Sequence, residues 1–160
     1  MIFVTVGSQK FQFNRLLQYV DELIEEGIIE EEVIAQVGYS DYVPKNYEYT
    51  QFLTQEEFKK NMEKASIVIT HGGTGAIITA LRNKKKVIAI PRLSEFGEHV
   101  DDHQLEIVTV FSKKNYILEV VDIIQLREAL NNIYISDLSR FVSNSEKFLS
   151  NLAFLLEENL

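Results

Sequence analysis

Apolar residues fall into short continuous runs, separated by stretches where they recur every three or four positions, and this pattern predicts buried strands alternating with amphipathic helices. Ile2 to Val6 is a first strand, broken at Gly7-Ser8-Gln9. Phe13, Leu16, Leu17, Val20, Leu23 and Ile24 repeat at helical spacing, with Gly27 as a C-cap candidate. Val33 to Val37 forms a second strand, Asp41 to Asn46 a loop around Pro44, and Tyr47 to Leu53 a short third strand. Thr54 reads as an N-cap, because Glu56 and Glu57 follow in the first turn and Phe58 and Met62 share a face. Further on, a helix from near Asp101 carries Leu105, Val108 and Phe111, Tyr116 to Val120 forms a last strand, and Asp122 caps a helix through Leu130. Phe141, Phe148, Leu149, Leu152, Leu155 and Leu156 predict a closing helix over about 137–158.

The middle of the chain is the most informative stretch. Ile67, Val68 and Ile69 are β-branched without interruption, as in a parallel strand covered on both faces. Thr70 and His71 then lead into Gly72, Gly73, Thr74 and Gly75. From Ala76 the period turns helical, with Ile77, Ile78 and Leu81 toward the sheet, and Val87 to Ile90 is the next strand, ended by Pro91. A strand, glycine turn and helix in this order leave free N–H groups and the positive end of a helix dipole above the turn, which suits a phosphate or diphosphate. The alternative is that the glycines only make a tight turn. A dinucleotide fingerprint is not met, since no third glycine follows Gly73-Thr74-Gly75, and no Gly-Lys-Ser/Thr phosphate loop is present.

Composition narrows the class. At 160 residues, 46% hydrophobic and 25% charged, the chain reads as a single α/β domain spanning 1–160 with a mostly parallel sheet. A net charge of −8, with lysine and arginine on no extended face, argues against a nucleic-acid partner. The absence of cysteine removes disulfides and thiolate metal sites. Ile2 to Val6 is too short for a signal peptide and lacks its basic leader, and no stretch approaches the roughly 20 apolar residues of a membrane span. A membrane role therefore requires another anchor.

With these residues in view, the sequence resembles the C-terminal, nucleotide-sugar-binding domain of the family 28 glycosyltransferases. It is most similar to small catalytic subunits of two-subunit enzymes of the GT-B fold. These include the donor-binding subunit of the eukaryotic transferase that extends the dolichol-linked precursor, and bacterial subunits of capsular or exopolysaccharide synthesis. The likeness to the bacterial group is close around His71-Gly72-Gly73-Thr74-Gly75, Pro91-Arg92 and Glu98-His99-Val100-Asp101-Asp102-His103-Gln104. The resemblance implies a three-layer Rossmann-like domain equivalent to the C-terminal half of a GT-B enzyme, with a UDP-sugar across the carboxyl edge of the sheet. Gly72 to Gly75 would hold the diphosphate with His71 beside it, and Gly7, Ser8 and Gln9 would border it from the other side. Phe52 and Leu53 fall where the family holds the uracil, and Gln104, with Asp101 or Asp102, where it binds sugar hydroxyls. The family's ribose-gripping glutamate is replaced by Thr79, so ribose recognition would come in part from elsewhere, with Glu95 or Glu98 as candidates.

The chemistry implied is inverting transfer of a hexose from a UDP-sugar to a lipid-linked polysaccharide precursor. No Asp-x-Asp motif is present, so no metal or other cofactor is expected, and the oriented N–H groups would stabilise the leaving diphosphate. Several residues carry plainer readings: His71 as a turn cap, Asp101 to Gln104 as a helix start, and Lys84 to Lys86 as a solvated helix end. His99 and His103 share i, i+4 spacing, which on one helix would suggest zinc, but no third ligand is evident. No base for the acceptor hydroxyl stands out. The resemblance implies that a membrane-anchored partner subunit supplies it with the acceptor site. The closing helix is a candidate docking element for that partner, although such stripes commonly pack on their own domain. The isolated chain could also form a homo-oligomer. The expected location is cytoplasmic, peripheral at the inner face of the membrane. Two rival readings stand beside this one: a non-catalytic subunit that stimulates a partner transferase, and a flavodoxin-like switch, which lacks its acidic pocket here.

Overall fold

A computed structural model describes residues 1–142. Six strands form one sheet: β1 (Ile2–Thr5), β2 (Val33–Gln36), β3 (Glu48–Thr50), β4 (Ile67–His71), β5 (Lys86–Ile90) and β6 (Leu118–Glu119). Their order is β3-β2-β1-β4-β5-β6, and every pairing is parallel. The order is that of a doubly wound sheet in which the chain changes direction between β1 and β4, opening a crevice at their carboxyl ends. The register sets Thr5 beside Thr70 at that point.

Alternation along the strands assigns residues to two cores. Ile2, Val4, Ile67, Ile69, Ile88 and Ile90 pack with Leu16, Leu17, Val20 and Leu23 of α1 (Asn14–Glu25) and with Leu126, Leu130 and Ile133 of α5 (Leu126–Ile133). Phe3, Val68, Val87 and Ala89 face the other way, toward Met62 of α2 (Gln55–Lys64), Ile77 and Ala80 of α3 (Thr74–Arg82), and Ile107, Val108 and Phe111 of α4 (His103–Lys113). Fully burying each such side chain is worth roughly 1.5–3 kcal/mol. The result is a three-layer domain of the expected class.

Local signals hold at most boundaries. Thr54 forms a complete capping box with Glu57, and Gly27 turns the chain out of α1 at φ +74°. Other boundaries move. β3 and β6 are shorter than expected and Asp122 caps a 3-10 turn ahead of α5, while α4 starts at His103, near Asp101 as expected. On α4 the buried residues are Gln104, Ile107, Val108 and Phe111, so Leu105 is not among them and a glutamine is. The expected C-terminal helix over about 137–158 lies outside the described residues from 143 onward, and 137–142 run without helix or strand. Among the described residues no helix is long and apolar enough to cross a membrane.

No helix bridges β2 and β3. The intervening loop is held instead by Asp21 of α1, which is 2% exposed. Its carboxylate accepts from Tyr42 Oη (2.7 Å) and from the backbone N–H groups of Lys45 (2.8 Å) and Asn46 (2.9 Å).

Candidate functional site

The carboxyl ends of β1, β4 and β5 carry three loops that meet over the crevice. His71 is the last residue of β4 and is 6% exposed. Its ring fills the space where two side chains would otherwise stand. A Cβ at Gly7 would lie 2.6 Å from Nε2, and one at Gly73 would overlap the ring outright. Gly7 also has φ +76°, so it is required both by conformation and by close approach. Gly72 meets Gln104 in the same way, at 2.7 Å. The glycines therefore serve packing as well as any ligand.

Gln104 ties this cluster together. Its Oε1 accepts from Gly72 N and from Arg92 N, each at 3.1 Å, which identifies the oxygen and turns Nε2 toward His71 Nδ1 at 3.3 Å. The amide nitrogen donates, so Nδ1 accepts and the ring proton resides on Nε2, beside the two glycine turns. Burial is the main cause that lowers the His71 pKa to about 3, with the Arg92 charge adding to it. The imidazole is thus a neutral N–H donor near physiological pH.

At the start of α3, Gly73 provides no side-chain cap. The first backbone bond into the helix there is Ile77 N to Gly73 O, and no partner among the described residues is recorded for the N–H groups of Thr74, Gly75 and Ala76. The buried Thr74 hydroxyl also lacks a partner among the described residues. Free N–H groups at a helix N-terminus, one residue beyond a glycine that shares the His71 ring with Gly7, make an anion-binding arrangement.

Beside it, a cleft of about 310 Å³ is lined by Ser8, Gln36, Phe52, Leu53 and Phe58. Gln36 is 8% exposed and accepts the Leu53 N–H through Oε1 at 2.9 Å, fixing that segment. Phe52 meets Tyr39 edge-on with centroids 5.1 Å apart. Larger hollows of 480 and 740 Å³ lie elsewhere, one against β6 and α5 and one at the amino end of β5. The larger borders Phe141, near the end of the described residues. Neither is lined by the β1 or β4 loop, whereas the smaller cleft is lined by Ser8 of the β1 loop, so the smaller cleft is the better candidate.

The structure brings Gly7, Ser8, His71, Gly72, Gly73 and Thr74 to one crevice and sets Phe52 and Leu53 next to it, with Gln9 exposed on the same β1 loop. Other expected residues are engaged differently. Gln104 is 4% exposed and its amide holds the ends of β4 and β5, so this arrangement does not favour the expected role toward sugar hydroxyls. Asp102 Oδ1 accepts from Ser94 N (2.8 Å) and Oγ (2.9 Å), bonds that lower its pKa and close the 94–102 loop. Asp101 Oδ1 accepts from His103 N at 3.0 Å, and its side chain is 49% exposed. Thr79 donates to Gly75 O at 2.7 Å. Glu98 is fully buried on Arg15, which removes it as a ribose ligand. His99 precedes α4, so the helical zinc spacing with His103 does not arise, and the described residues contain no cluster of metal-ligating groups.

Two features escaped the sequence reading. Arg92 is fully buried among backbone carbonyls of the first loop; a charged residue two positions past a buried strand, behind Pro91, was its signal. His103 has both ring nitrogens shielded without a hydrogen-bond partner among the described residues, with Glu106 Oε2 3.2 Å from Nδ1.

A doubly wound, all-parallel sheet with helices on both faces is the fold of the C-terminal half of GT-B glycosyltransferases. The fold matches the NMR structure of ALG13 with a TM-score of 0.62 and 22% identity over 94% of each chain. It also matches the glycosyltransferase SsfS6 of Streptomyces sp. SF2575, solved with thymidine diphosphate, at TM-score 0.57 and 18% identity, covering 98% of this chain and 36% of that one. The glycosyltransferase family 28 C-terminal domain matches residues 1–157, and the chain belongs to that family. Its relatives include the UDP-N-acetylglucosamine transferase subunit ALG13 of Candida albicans, 34% identical over 85 residues. That alignment covers 53% of this chain and 27% of the relative. The human ALG13 subunit is 25% identical over 123 residues, covering 72% of this chain and 10% of that protein. The chain thus spans a third or less of the curated relatives it matches.

Proposed function

We propose that this domain binds a UDP-sugar between the 7–12 and 72–76 turns and donates its hexose to a lipid-linked polysaccharide precursor presented by a membrane-anchored partner subunit. The supporting observation is the start of α3, where the Thr74, Gly75 and Ala76 N–H groups and the Thr74 hydroxyl are unsatisfied within the described residues. Diphosphate oxygens satisfy these donors, and uracil fits the cleft at Phe52 and Leu53.

In the transfer, the acceptor hydroxyl oxygen attacks the anomeric carbon on the face opposite the diphosphate. The bond from that carbon to the diphosphate oxygen breaks, its electron pair remains on UDP, and the hydroxyl proton passes to a base on the partner. The α3 donors and the His71 Nε2–H meet the growing negative charge, a preorganised stabilisation that calls for no metal ion. The site of action in this reading is the cytoplasmic face of a membrane, reached through the partner. Since the named relatives are UDP-N-acetylglucosamine transferase subunits, that donor is the first to test, with capsular or exopolysaccharide precursors as acceptors. Calorimetry should show UDP binding by the isolated chain, and transfer only when the partner is added. No affinity for UDP in either case would overturn the reading.

One observation favours a regulatory subunit instead: position 79 offers no carboxylate to a ribose, and its hydroxyl is already bonded to Gly75. A reconstituted complex whose transfer activity is unchanged by Gly75→Ala would support that reading.

A further inference from the structure

Arg92 is fully buried, yet it has no carboxylate of its own among the described residues. Its Nη1 donates to the carbonyls of Phe11 (3.0 Å), Gln12 (3.1 Å) and Glu98 (3.2 Å), and its Nη2 to that of Val6. Nε has no partner among the described residues, and the guanidinium lies 5.1 Å from the centroid of Phe13. The carboxylate of Glu98, equally buried, is bound instead by Arg15 through Nε (3.1 Å) and Nη2 (3.0 Å) and by the Leu93 N–H (3.0 Å). Two guanidinium groups thus have one carboxylate between them, and one buried positive charge is left without a compensating carboxylate among the described residues. Burial lowers the Arg92 pKa to about 10, which leaves it charged at neutral pH. An unbalanced buried charge is unfavourable until an anion arrives.

The position of that charge is specific. Val6 precedes Gly7, whose α-carbon packs on the His71 ring, and Arg92 is near enough to His71 to disfavour its protonation. In a trans peptide the N–H points opposite to the C=O. Drawing the Val6 and Phe11 carbonyls onto the guanidinium therefore turns the Gly7 and Gln12 N–H groups away from it.

We propose that Arg92 is a positioning residue for the donor diphosphate: it shapes the β1 loop and supplies, from behind that loop, the buried positive charge that complements the phosphates. This role rests on the donor-binding reading given above. It predicts an effect on phosphate recognition and none on the nucleoside, so the readout is the ratio of UDP to uridine affinity. Calorimetry measures the first and amide chemical-shift titration the second, each on variants whose spectra show a native fold.

Arg92→Met should lower the ratio about tenfold, as loss of a charge acting through a partly screened interior would. Arg92→Lys, which keeps the charge, should restore most of it. Glu98→Gln, which removes the shared negative charge, should raise the ratio, and this opposite sign decides the matter even where Arg92→Met does not fold. Equal losses for UDP and uridine, or a lower ratio in Glu98→Gln, would overturn the role. Wild-type protein that binds no UDP would overturn the donor-binding reading and this role together, whereas wild type that binds UDP with an unchanged ratio in the variants overturns this role alone.

Discussion

The amide nitrogen of Gln104 lies 3.3 Å from Nδ1 of His71, and the amide oxygen on its other side is held by two backbone N–H groups. A donor fixed against Nδ1 makes that nitrogen the acceptor and places the ring proton on Nε2. The contact fixes which nitrogen carries the proton, while burial first and the Arg92 charge second keep this histidine neutral.

Stability should follow from that neutrality. The His71 pKa is about 3 in the folded protein against 6.5 as an ordinary value. Between those limits the unfolded chain binds a proton that the folded protein does not, so this histidine removes stability as pH falls below about 6.5, at up to about 1.4 kcal/mol per pH unit. Above 6.5 it contributes no pH dependence. Urea midpoints taken between about pH 7 and pH 4.5 should fall less steeply for His71→Asn than for wild type. Equal slopes would show that His71 is not held neutral.

Replacing Gln104 by glutamate should reverse the relation. Gln104→Glu keeps acceptors for Gly72 N and Arg92 N but sets a carboxylate against Nδ1, so the His71 pKa should rise markedly from about 3. Imidazole proton shifts followed against pH would record the change, and a midpoint that stays low would refute it.

Gly73 and Gly75 separate folding from binding. A methyl group at Gly73 meets the His71 ring, so Gly73→Ala should destabilise by about 2–3 kcal/mol. Nothing lies within 4 Å of the same group at Gly75, an exposed position in the first turn of α3. There Gly75→Ala should raise stability by about 0.5–1 kcal/mol, as alanine does within a helix. If phosphate oxygens approach this turn, the same variant should weaken UDP binding at least about fivefold, ~1 kcal/mol. Thermal melts and calorimetry on one preparation test both halves.

Asp21 offers a test remote from the crevice. Asp21→Ala leaves Tyr42 Oη, Lys45 N and Asn46 N without their acceptor, and should cost about 2–4 kcal/mol. Burial first and Asp21 second push the Tyr42 pKa up to about 12. Phenolate absorbance in the variant should therefore titrate at lower pH, although not fully at the ordinary value.

The layers were legible because β-branched runs and helical periods report burial directly: Ile67 to Ile69 needed no partner in view to be recognised as a covered strand. His71 and its glycines were legible as a turn, but their mutual packing was not, since it depends on Gly7, sixty-four positions away. That Gln104 packs inward went unread for a related reason. With Ile107, Val108 and Phe111 it occupies an i, i+3, i+4, i+7 stripe, and a polar residue on such a stripe is directed inward. The Arg92 and Glu98 pairings were hidden because hydrogen bonds from residue 92 to residues 6, 11 and 12 leave no periodic trace.

One imidazole standing in the room of two absent side chains also restricts the routes by which this site can be altered. Any residue larger than glycine at position 7 or 73 collides with the ring, so neither position can vary while His71 is present. Trimming residue 71 first opens space at 73, though position 7 still demands φ +76°. Library selections that randomise these positions singly should therefore recover glycine almost alone, whereas paired randomisation of 71 and 73 should release combinations that neither single scan contains.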